Sequence, residues 1–158
     1  MLVLGVDPGS LVTGYGLVKK EDNRLIYVGG GEISLPHSRP FHQRIHNIFL
    51  SLTEIIQAHH PEEMSIEDVF FAKNVKSALK IGHARGAALV AAIQGGLKVF
   101  EYTPLQIKQS VVGYGRATKE QVRAMVKLIL EVDTQLSLDT ADALATAICH
   151  HNWVRFEP

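Results

Sequence analysis

The strongest constraint on the fold is an apolar run, Leu2 to Val6, that ends at Asp7 and is followed by the turn sequence Pro8-Gly9-Ser10. A run of this length bounded by turn residues predicts a buried β-strand. In α/β proteins, a carboxylate at the carboxyl end of such a strand often holds a charged ligand. The plain alternative is that Asp7 only caps the turn. Which of the two applies depends on what the fold brings next to Asp7.

The hydrophobic pattern after this run predicts two more strands in antiparallel hairpins, then helices that alternate with strands. This order indicates one α/β domain over residues 1–158, with a five-stranded mixed sheet flanked by helices. Right-handed crossovers would place strands one and four side by side, with their carboxyl ends at one edge. The expected elements are strands at 2–6, 13–19, 25–35, 64–66 and 98–102, and helices from 41, from about 73 to 94, from 103, from 118 and from 139.

The charge of the chain is unevenly distributed although its formal net charge is zero. Residues 72–127 carry a net charge of +8 and the remainder −8. This asymmetry suggests a polyanionic partner at one surface, although solvated helix faces would give the same composition. Cys149 is the only cysteine, which excludes an intrachain disulfide or a cysteine-based zinc site. No apolar stretch approaches the roughly 20 residues that span a bilayer, and no leader precedes Leu2, so we expect a cytoplasmic protein without a membrane partner.

Four acids are candidates for one site. Glu67 ends the fourth predicted strand beside Asp7, and Asp139 and Asp142 lie three residues apart at the start of the last helix. Crowded carboxylates repel one another unless a proton or a cation neutralises them. Oxygen donors without cysteine suit Mg²⁺, or Mn²⁺ as a substitute, and two such ions can hydrolyse a phosphodiester. Taken singly, Asp139 and Asp142 could be no more than a helix N-cap and a first-turn acid.

Basic side chains provide candidate contacts to a nucleic acid, whose phosphates they would neutralise. One set repeats every four residues along a predicted helix, on the side away from its apolar face, and a second set begins the long helix. Lys108, just after the fifth strand, could reach the edge that carries the acids. For any single residue, a solvated surface role is the alternative. The candidates are Lys73, Lys76, Lys80, Arg116, Lys119, Arg123 and Lys127.

Two further features concern stacking and association. Phe70 and Phe71 come three and four residues after Glu67, and an exposed ring there could stack on an unpaired base, while burial is the alternative. The long helix is rich in small residues and carries apolar residues on nearly all sides, which predicts a homodimer. The histidines form no metal-ligand motif, and we expect His150 and His151 to be cations at a helix end.

Assembled, these segments resemble the RuvC-type Holliday junction resolvases along nearly the whole chain. The matching segments are VLGVDPGSLVTGYG, SIEDVFFAKNVKSALKIGHARGAALVAA, QIKQSVVGYGRATKEQV and LDTADALATAICH. The resemblance implies a ribonuclease-H-like fold and a homodimer that nicks two strands of a four-way junction with magnesium. It also implies cooperation with the RuvA and RuvB branch-migration proteins.

The resemblance assigns roles to residues of this chain. It implies that Asp7, Glu67, Asp139 and Asp142 bind metal, with two ions in each active site, and that Phe70 engages bases near the junction centre. It implies catalytic roles for Lys108 and Lys119.

Two other classes of function compete with this interpretation. The Asp-x-Gly-Ser turn also resembles the phosphate loop of actin-like kinases and ATPases, but these need a second similar domain, for which 158 residues leave no room. A protein that binds junctions without cutting them would lack one of the acids, and none is missing. Another ribonuclease-H-like nuclease is the remaining alternative.

Overall fold

The computed structural model describes residues 1–68 and 74–154. Its sheet has the strand order β3-β2-β1-β4-β5. The first three strands are antiparallel, whereas β4 runs parallel to β1 and β5 runs parallel to β4. The elements are β1 (Leu2–Asp7), β2 (Val12–Glu21), β3 (Arg24–Ser34), α1 (Phe41–His59), β4 (Glu63–Glu67), α2 (Val75–Gln94), β5 (Lys98–Tyr102), α3 (Pro104–Val112), α4 (Lys119–Ile129) and α5 (Leu138–Trp153). The predicted five-stranded mixed sheet is confirmed.

Alternation along β1 separates two hydrophobic cores, one on each face of the sheet. Leu4 and Val6 pack in the core formed with α1 and α2, whereas Val3 packs in the core formed with α3, α4 and α5. Because side chains alternate along a strand, Asp7 lies on the same face as Val3 and therefore faces α5. The layer that contains α5 thus determines what surrounds Asp7.

Glycines let α5 lie unusually close to this face of the sheet. A Cβ atom on Gly5 would lie 2.0 Å from the carbonyl oxygen of Ala143, and one on Gly14 would lie 2.1 Å from that of Asp139. At Gly16, a Cβ would lie 2.5 Å from a methyl group of Leu144. No side chain larger than hydrogen fits at these distances, so the three glycines set the depth of α5 on the sheet.

The turn after β1 is closed by a residue other than Asp7. The Thr13 hydroxyl accepts a hydrogen bond from Gly9 N at 3.2 Å and donates to Gly9 O at 2.8 Å. Arg44 of α1 adds a bond from Nη1 to the Ser10 carbonyl oxygen at 3.0 Å. The interpretation of Asp7 as a turn cap therefore receives no support.

Two predictions about α5 are wrong. The helix begins at Leu138 and its N-cap is Ser137, whose hydroxyl accepts from Thr140 N, so Asp139 lies in the first turn and does not cap the helix. His150 and His151, expected as cations at the helix end, do lie in the last turn of α5 but are buried.

The two histidines contact partners that are distant in sequence. His150 Nδ1 lies 2.7 Å from the Tyr102 hydroxyl, and its Nε2 lies 2.6 Å from Glu63 Oε2. His151 Nε2 donates to the Val18 carbonyl oxygen at 2.9 Å. Burial lowers the pKa of His151, which favours the neutral ring. Both side chains therefore fasten α5 to the sheet.

Two local helix predictions are confirmed. Thr103 with Gln106, and Thr118 with Gln121, form complete capping boxes at the starts of α3 and α4. None of the helices described is both long and apolar enough to cross a membrane.

Candidate active site

Asp7 and Glu67 lie at the same edge of the sheet because β1 and β4 are parallel and in register. Val6 is paired with Ile66, so each acid follows directly at the carboxyl end of its strand. Each of the two carboxyl groups also shifts the pKa of the other. The predicted juxtaposition of these acids is confirmed.

Asp139 and Asp142 reach the same site from the first turns of α5. The hydroxyl of Ser137 fixes the start of the helix by accepting from Thr140 N at 3.2 Å and donating to Thr140 Oγ1 at 2.9 Å. Gly14, paired with Asp7 in the sheet, allows the Asp139 backbone to approach β2. The charges of both α5 acids raise the pKa of Asp7, which shows that they share its electrostatic environment.

The protonation equilibria of the acids reflect this crowding. Burial, followed by the charges of Glu67 and Asp142, raises the pKa of Asp7 from 3.8 to about 8. Burial and the charge of Asp142 also raise the pKa of Glu67, although the hydrogen bond from Asp7 acts in the opposite direction. Burial raises the pKa of Asp139, with a further contribution from Glu32. Without a cation, the site therefore retains a proton near neutral pH.

Two lysines complete the surroundings of the acids. Lys119 Nζ lies 3.1 Å from Asp142 Oδ2. Burial lowers the pKa of Lys119, but the charge and hydrogen bond of Asp142, with Asp7 and Asp139, outweigh burial and raise it. The charge of Lys108 acts to lower the pKa of Glu67. Both lysines line a cavity of about 210 Å³ together with Glu67 and Asp142.

The donor set fits a hard divalent cation. Carboxylate oxygens are the ligands that Mg²⁺ and Mn²⁺ prefer, and the charges of neighbouring acids, after burial, contribute to the raised pKa values of Asp7 and Glu67, a repulsion that a bound cation would offset. Within residues 1–68 and 74–154, no three Asp, Glu, His or Cys side chains already lie in an arrangement that could hold a metal ion. Lys119 instead supplies positive charge at Asp142.

The structure places the predicted DNA-contacting residues unequally. Lys76, Lys80 and Arg116 are exposed. Arg123, expected on an open stripe, is half-buried, and its Nη1 donates to the Leu136 carbonyl oxygen at 3.5 Å. Lys127, also half-buried, lines the same small cavity as Arg123. The predicted solvent-facing stripe of α4 thus holds only in part, because the connection to α5 covers it. Phe70 and Lys73 lie outside the described residues.

Sequence reasoning missed two charged residues near the acids. Glu32 of β3 is paired with Gly14 of β2, which is itself paired with Asp7 of β1. The charge of Glu32 contributes to the raised pKa of Asp139. The two-residue alternation along β3 is a signal that could have found it. Arg85 of α2 contacts the end of β4, and no local pattern distinguishes it from a surface cation.

The mixed sheet with acids at the carboxyl ends of β1 and β4 and at the start of α5 defines a nuclease of the ribonuclease-H-like class. The family model for crossover junction endodeoxyribonuclease RuvC matches residues 3–150. The chain therefore belongs to the RuvC family.

Individual relatives agree with this assignment. The crossover junction endodeoxyribonuclease RuvC of Geotalea uraniireducens is 50% identical over 152 residues, which cover 96% of this chain and 89% of the relative. The structure of T. thermophilus RuvC in complex with a Holliday junction substrate superposes with a TM-score of 0.91 at 35% identity, covering 98% of this chain and 95% of that one. The yeast mitochondrial Holliday junction resolvase Ydc2, at 13% identity and a TM-score of 0.67 over 97% of this chain and 77% of that one, shares the fold.

Proposed function

We propose that this protein resolves four-way DNA junctions by cutting two strands through metal-assisted hydrolysis of phosphodiester bonds, in recombination and repair. The observation that carries the proposal is that strand register and the start of α5 place Glu67, Asp139 and Asp142 where their charges, after burial, help to raise the pKa of Asp7 to about 8. Such a site binds cations and lies beside two lysines that can face a phosphate. The substrate is inferred from the RuvC family and from the T. thermophilus relative in complex with a Holliday junction. A DNA substrate is consistent with the cytoplasmic location that the sequence predicts.

The four acids Asp7, Glu67, Asp139 and Asp142 would hold two Mg²⁺ ions, or Mn²⁺ in their place. When bound, these ions supply Lewis-acid activation of the attacking water and stabilise the leaving oxygen. Water would attack the phosphorus atom, and the bond from phosphorus to the 3′ oxygen would break. The products would carry a 5′-phosphate and a 3′-hydroxyl.

The lysines contribute positive charge where the phosphate becomes more negative in the transition state. Lys119 lies at the mouth of the site with its side chain 61% exposed, so its ammonium group can reach a bound strand. Lys108 lines the same cavity from α3. Preplaced charges of this kind lower the barrier because they need no reorganisation during the reaction.

We further propose a homodimer formed through α2. Several apolar residues on one side of this helix are exposed, among them Leu79 at 59%, Val90 at 57% and Ile93 at 66%. Gly82 and Gly86 lie on the same side, with open space in front of them. The spacing of three or four residues puts all five on one face of the helix. A two-fold axis through this face would relate two subunits, so that each active site could meet one of the two strands to be cut in a junction.

Exposed basic residues would bind the DNA arms. Lys76 and Lys80 lie on α2 beside the apolar face, and Arg116 lies in the connection between α3 and α4. Phosphate contacts of this kind give binding that weakens as salt rises. Contacts through Phe70 and Lys73, and cooperation with RuvA and RuvB, stay predictions from the family resemblance.

The decisive experiment offers matched four-way junction, fork and linear duplex DNA to the protein, with Mg²⁺ and with EDTA. We expect paired symmetric nicks in the junction only with Mg²⁺. Equal cutting of linear duplex would refute the resolvase activity and favour a general ribonuclease-H-like nuclease. Cutting in EDTA would refute the metal-assisted mechanism.

A matched pair of variants tests the site. Asp7→Asn should abolish cutting and retain junction binding in EDTA, because it removes one ligand without changing the basic surface. Asp133→Asn makes the same chemical change at an exposed acid outside the cluster and should cut normally. If Asp7→Asn lost junction binding, Asp7 would instead have a structural role.

Sedimentation tests the dimer. The wild-type chain should sediment as a dimer at micromolar concentration, and Ile93→Glu, which puts a charge into the proposed interface, should produce monomers. A monomeric wild-type chain would contradict this part of the proposal.

A further inference from the structure

Arg85 of α2 reaches the carboxyl ends of β4 and β5. Its Nε donates to the backbone carbonyl oxygen of Glu67 at 3.4 Å. Its Nη2 lies 2.6 Å from Glu101 Oε2 and 3.8 Å from Asp68 Oδ1. The Arg85 side chain is only 18% exposed, whereas that of Glu101 is 50% exposed. A single guanidinium group thus contacts two adjacent strands from a helix on the opposite face of the sheet to α5.

The position of these contacts along the strands is informative. The ladder between β4 and β5 ends with Glu67 opposite Tyr102, and Asp68 N then donates to the Tyr102 carbonyl oxygen at 2.8 Å. Arg85 therefore adds its contacts at the point where regular sheet pairing stops. Glu67, whose carboxyl group faces Asp7, is the last residue of that ladder.

The chemistry of arginine suits this position. A planar guanidinium group can face several oxygen atoms at once, whereas the compact ammonium group of a lysine, on a flexible stem, cannot match the same set. The Nη2 atom is buried and makes its contacts as ion pairs, outside hydrogen-bond geometry. A largely buried cation must keep such partners, because a buried charge without a partner is strongly destabilising. The side chain is therefore held in one place, and it holds the strand end in turn.

We propose that Arg85 is a positioning residue for the nuclease reaction. By joining α2 to the ends of β4 and β5, it fixes the backbone of Glu67 and so the place of the Glu67 carboxylate relative to Asp7. This role rests on the proposed metal site. It also means that the helix with the proposed dimer face contacts the backbone of a metal-binding residue directly.

Two conservative variants test the role of Arg85. Arg85→Lys keeps the charge and removes the planar fork, and Glu101→Gln keeps the shape of the partner and removes its charge. Mn²⁺ binding without DNA, followed by electron paramagnetic resonance, should weaken on the order of 10-fold in each, as for residues that orient metal ligands. The Mg²⁺ concentration for half-maximal single-turnover cleavage should rise by a similar factor. Junction affinity in EDTA should stay unchanged.

The double variant and a control sharpen the test. Arg85→Lys combined with Glu101→Gln should bind Mn²⁺ about as weakly as Arg85→Lys alone, because both changes remove one interaction. Glu21→Gln is the control, because it removes the carboxylate of the surface ion pair between Lys19 and Glu21 on β2. Its Mn²⁺ binding, Mg²⁺ dependence of cleavage and junction affinity should all match those of the wild-type protein.

The outcomes separate a positioning role from a structural one. If both variants lower the melting temperature but leave Mn²⁺ affinity and Mg²⁺ dependence unchanged, Arg85 is only a structural ion pair and the inference is overturned. If Arg85→Lys does not fold, Glu101→Gln decides alone, since its half-exposed side chain can change without a core defect. A wild-type protein that binds no Mn²⁺ would overturn the proposed metal site, and this role for Arg85 with it.

Discussion

The sharpest prediction concerns how the stability of the metal-free protein depends on pH through Asp7. Its pKa is raised in the fold to about 8 from an ordinary value of 3.8. The folded protein therefore holds a proton that the unfolded chain releases near pH 4. Since the folded state binds more protons between pH 4 and 8, the free energy of unfolding must fall as pH rises through this window.

The magnitude follows from the two pKa values. Each pH unit inside the window costs up to about 1.4 kcal/mol, so the total loss from pH 4 to pH 8 approaches about 5 kcal/mol. A domain has a total stability of only about 5–15 kcal/mol, so this loss is large. Asparagine cannot ionise, and Asp7→Asn should therefore remove the contribution of Asp7, while the raised pKa values of Glu67 and Asp139 leave the variant a dependence of the same sign.

The assay is urea unfolding of wild-type protein and Asp7→Asn in EDTA, at pH values between 4 and 8. The two should be similar near pH 4, and the variant should become the more stable by several kcal/mol at pH 8. Adding Mg²⁺ should reduce the gap, because the cation binds the wild-type site and stabilises the folded state. A difference that does not vary with pH, or a variant less stable than wild type at pH 8, would refute the reasoning. Asp133→Asn provides the control.

Three shorter predictions concern α5 and its acids. Gly14→Ala places a Cβ 2.1 Å from the Asp139 carbonyl oxygen, so it should lower the free energy of unfolding by about 1–3 kcal/mol and weaken Mn²⁺ binding; unchanged values in both would contradict the role of this glycine. Ser137→Ala removes the N-cap and should cost about 1 kcal/mol in urea unfolding, and no measurable loss would mean that the cap is dispensable. Asp142→Asn should abolish cleavage while changing the free energy of unfolding by about 1 kcal/mol, because the Lys119 side chain in its ion pair is 61% exposed, although that of Asp142 is only 21% exposed; near-normal cleavage would remove Asp142 from the metal site.

The parts of the site that follow from strand order were predictable from the sequence. Asp7 and Glu67 each end an apolar run, and two parallel strands in register bring such ends together wherever the crossover is right-handed. The capping boxes at Thr103 and Thr118 were also predictable, because their hydrogen bonds span only three residues.

Features that depend on distant partners could not be predicted in the same way. His150 and His151 have the sequence context of helix-end cations, and only their contacts with Glu63 and Val18, 87 and 133 residues away, make them buried anchors. Ser137 and Asp139 are equally suitable N-caps by residue type. The choice between them depends on how α5 lies on the sheet, which no local pattern records.

The close contact between α5 and the glycines of β1 and β2 has a consequence for variation of the site. Gly5, Gly14 and Gly16 already bring the helix to its shortest possible distance, because hydrogen is the smallest side chain. Substitutions at these positions can therefore only widen the gap between the sheet acids and the helix acids. The distance between the acids of the sheet and those of α5 is thus already at its minimum. Substitutions at these three positions can therefore weaken the binding of a cation but cannot strengthen it.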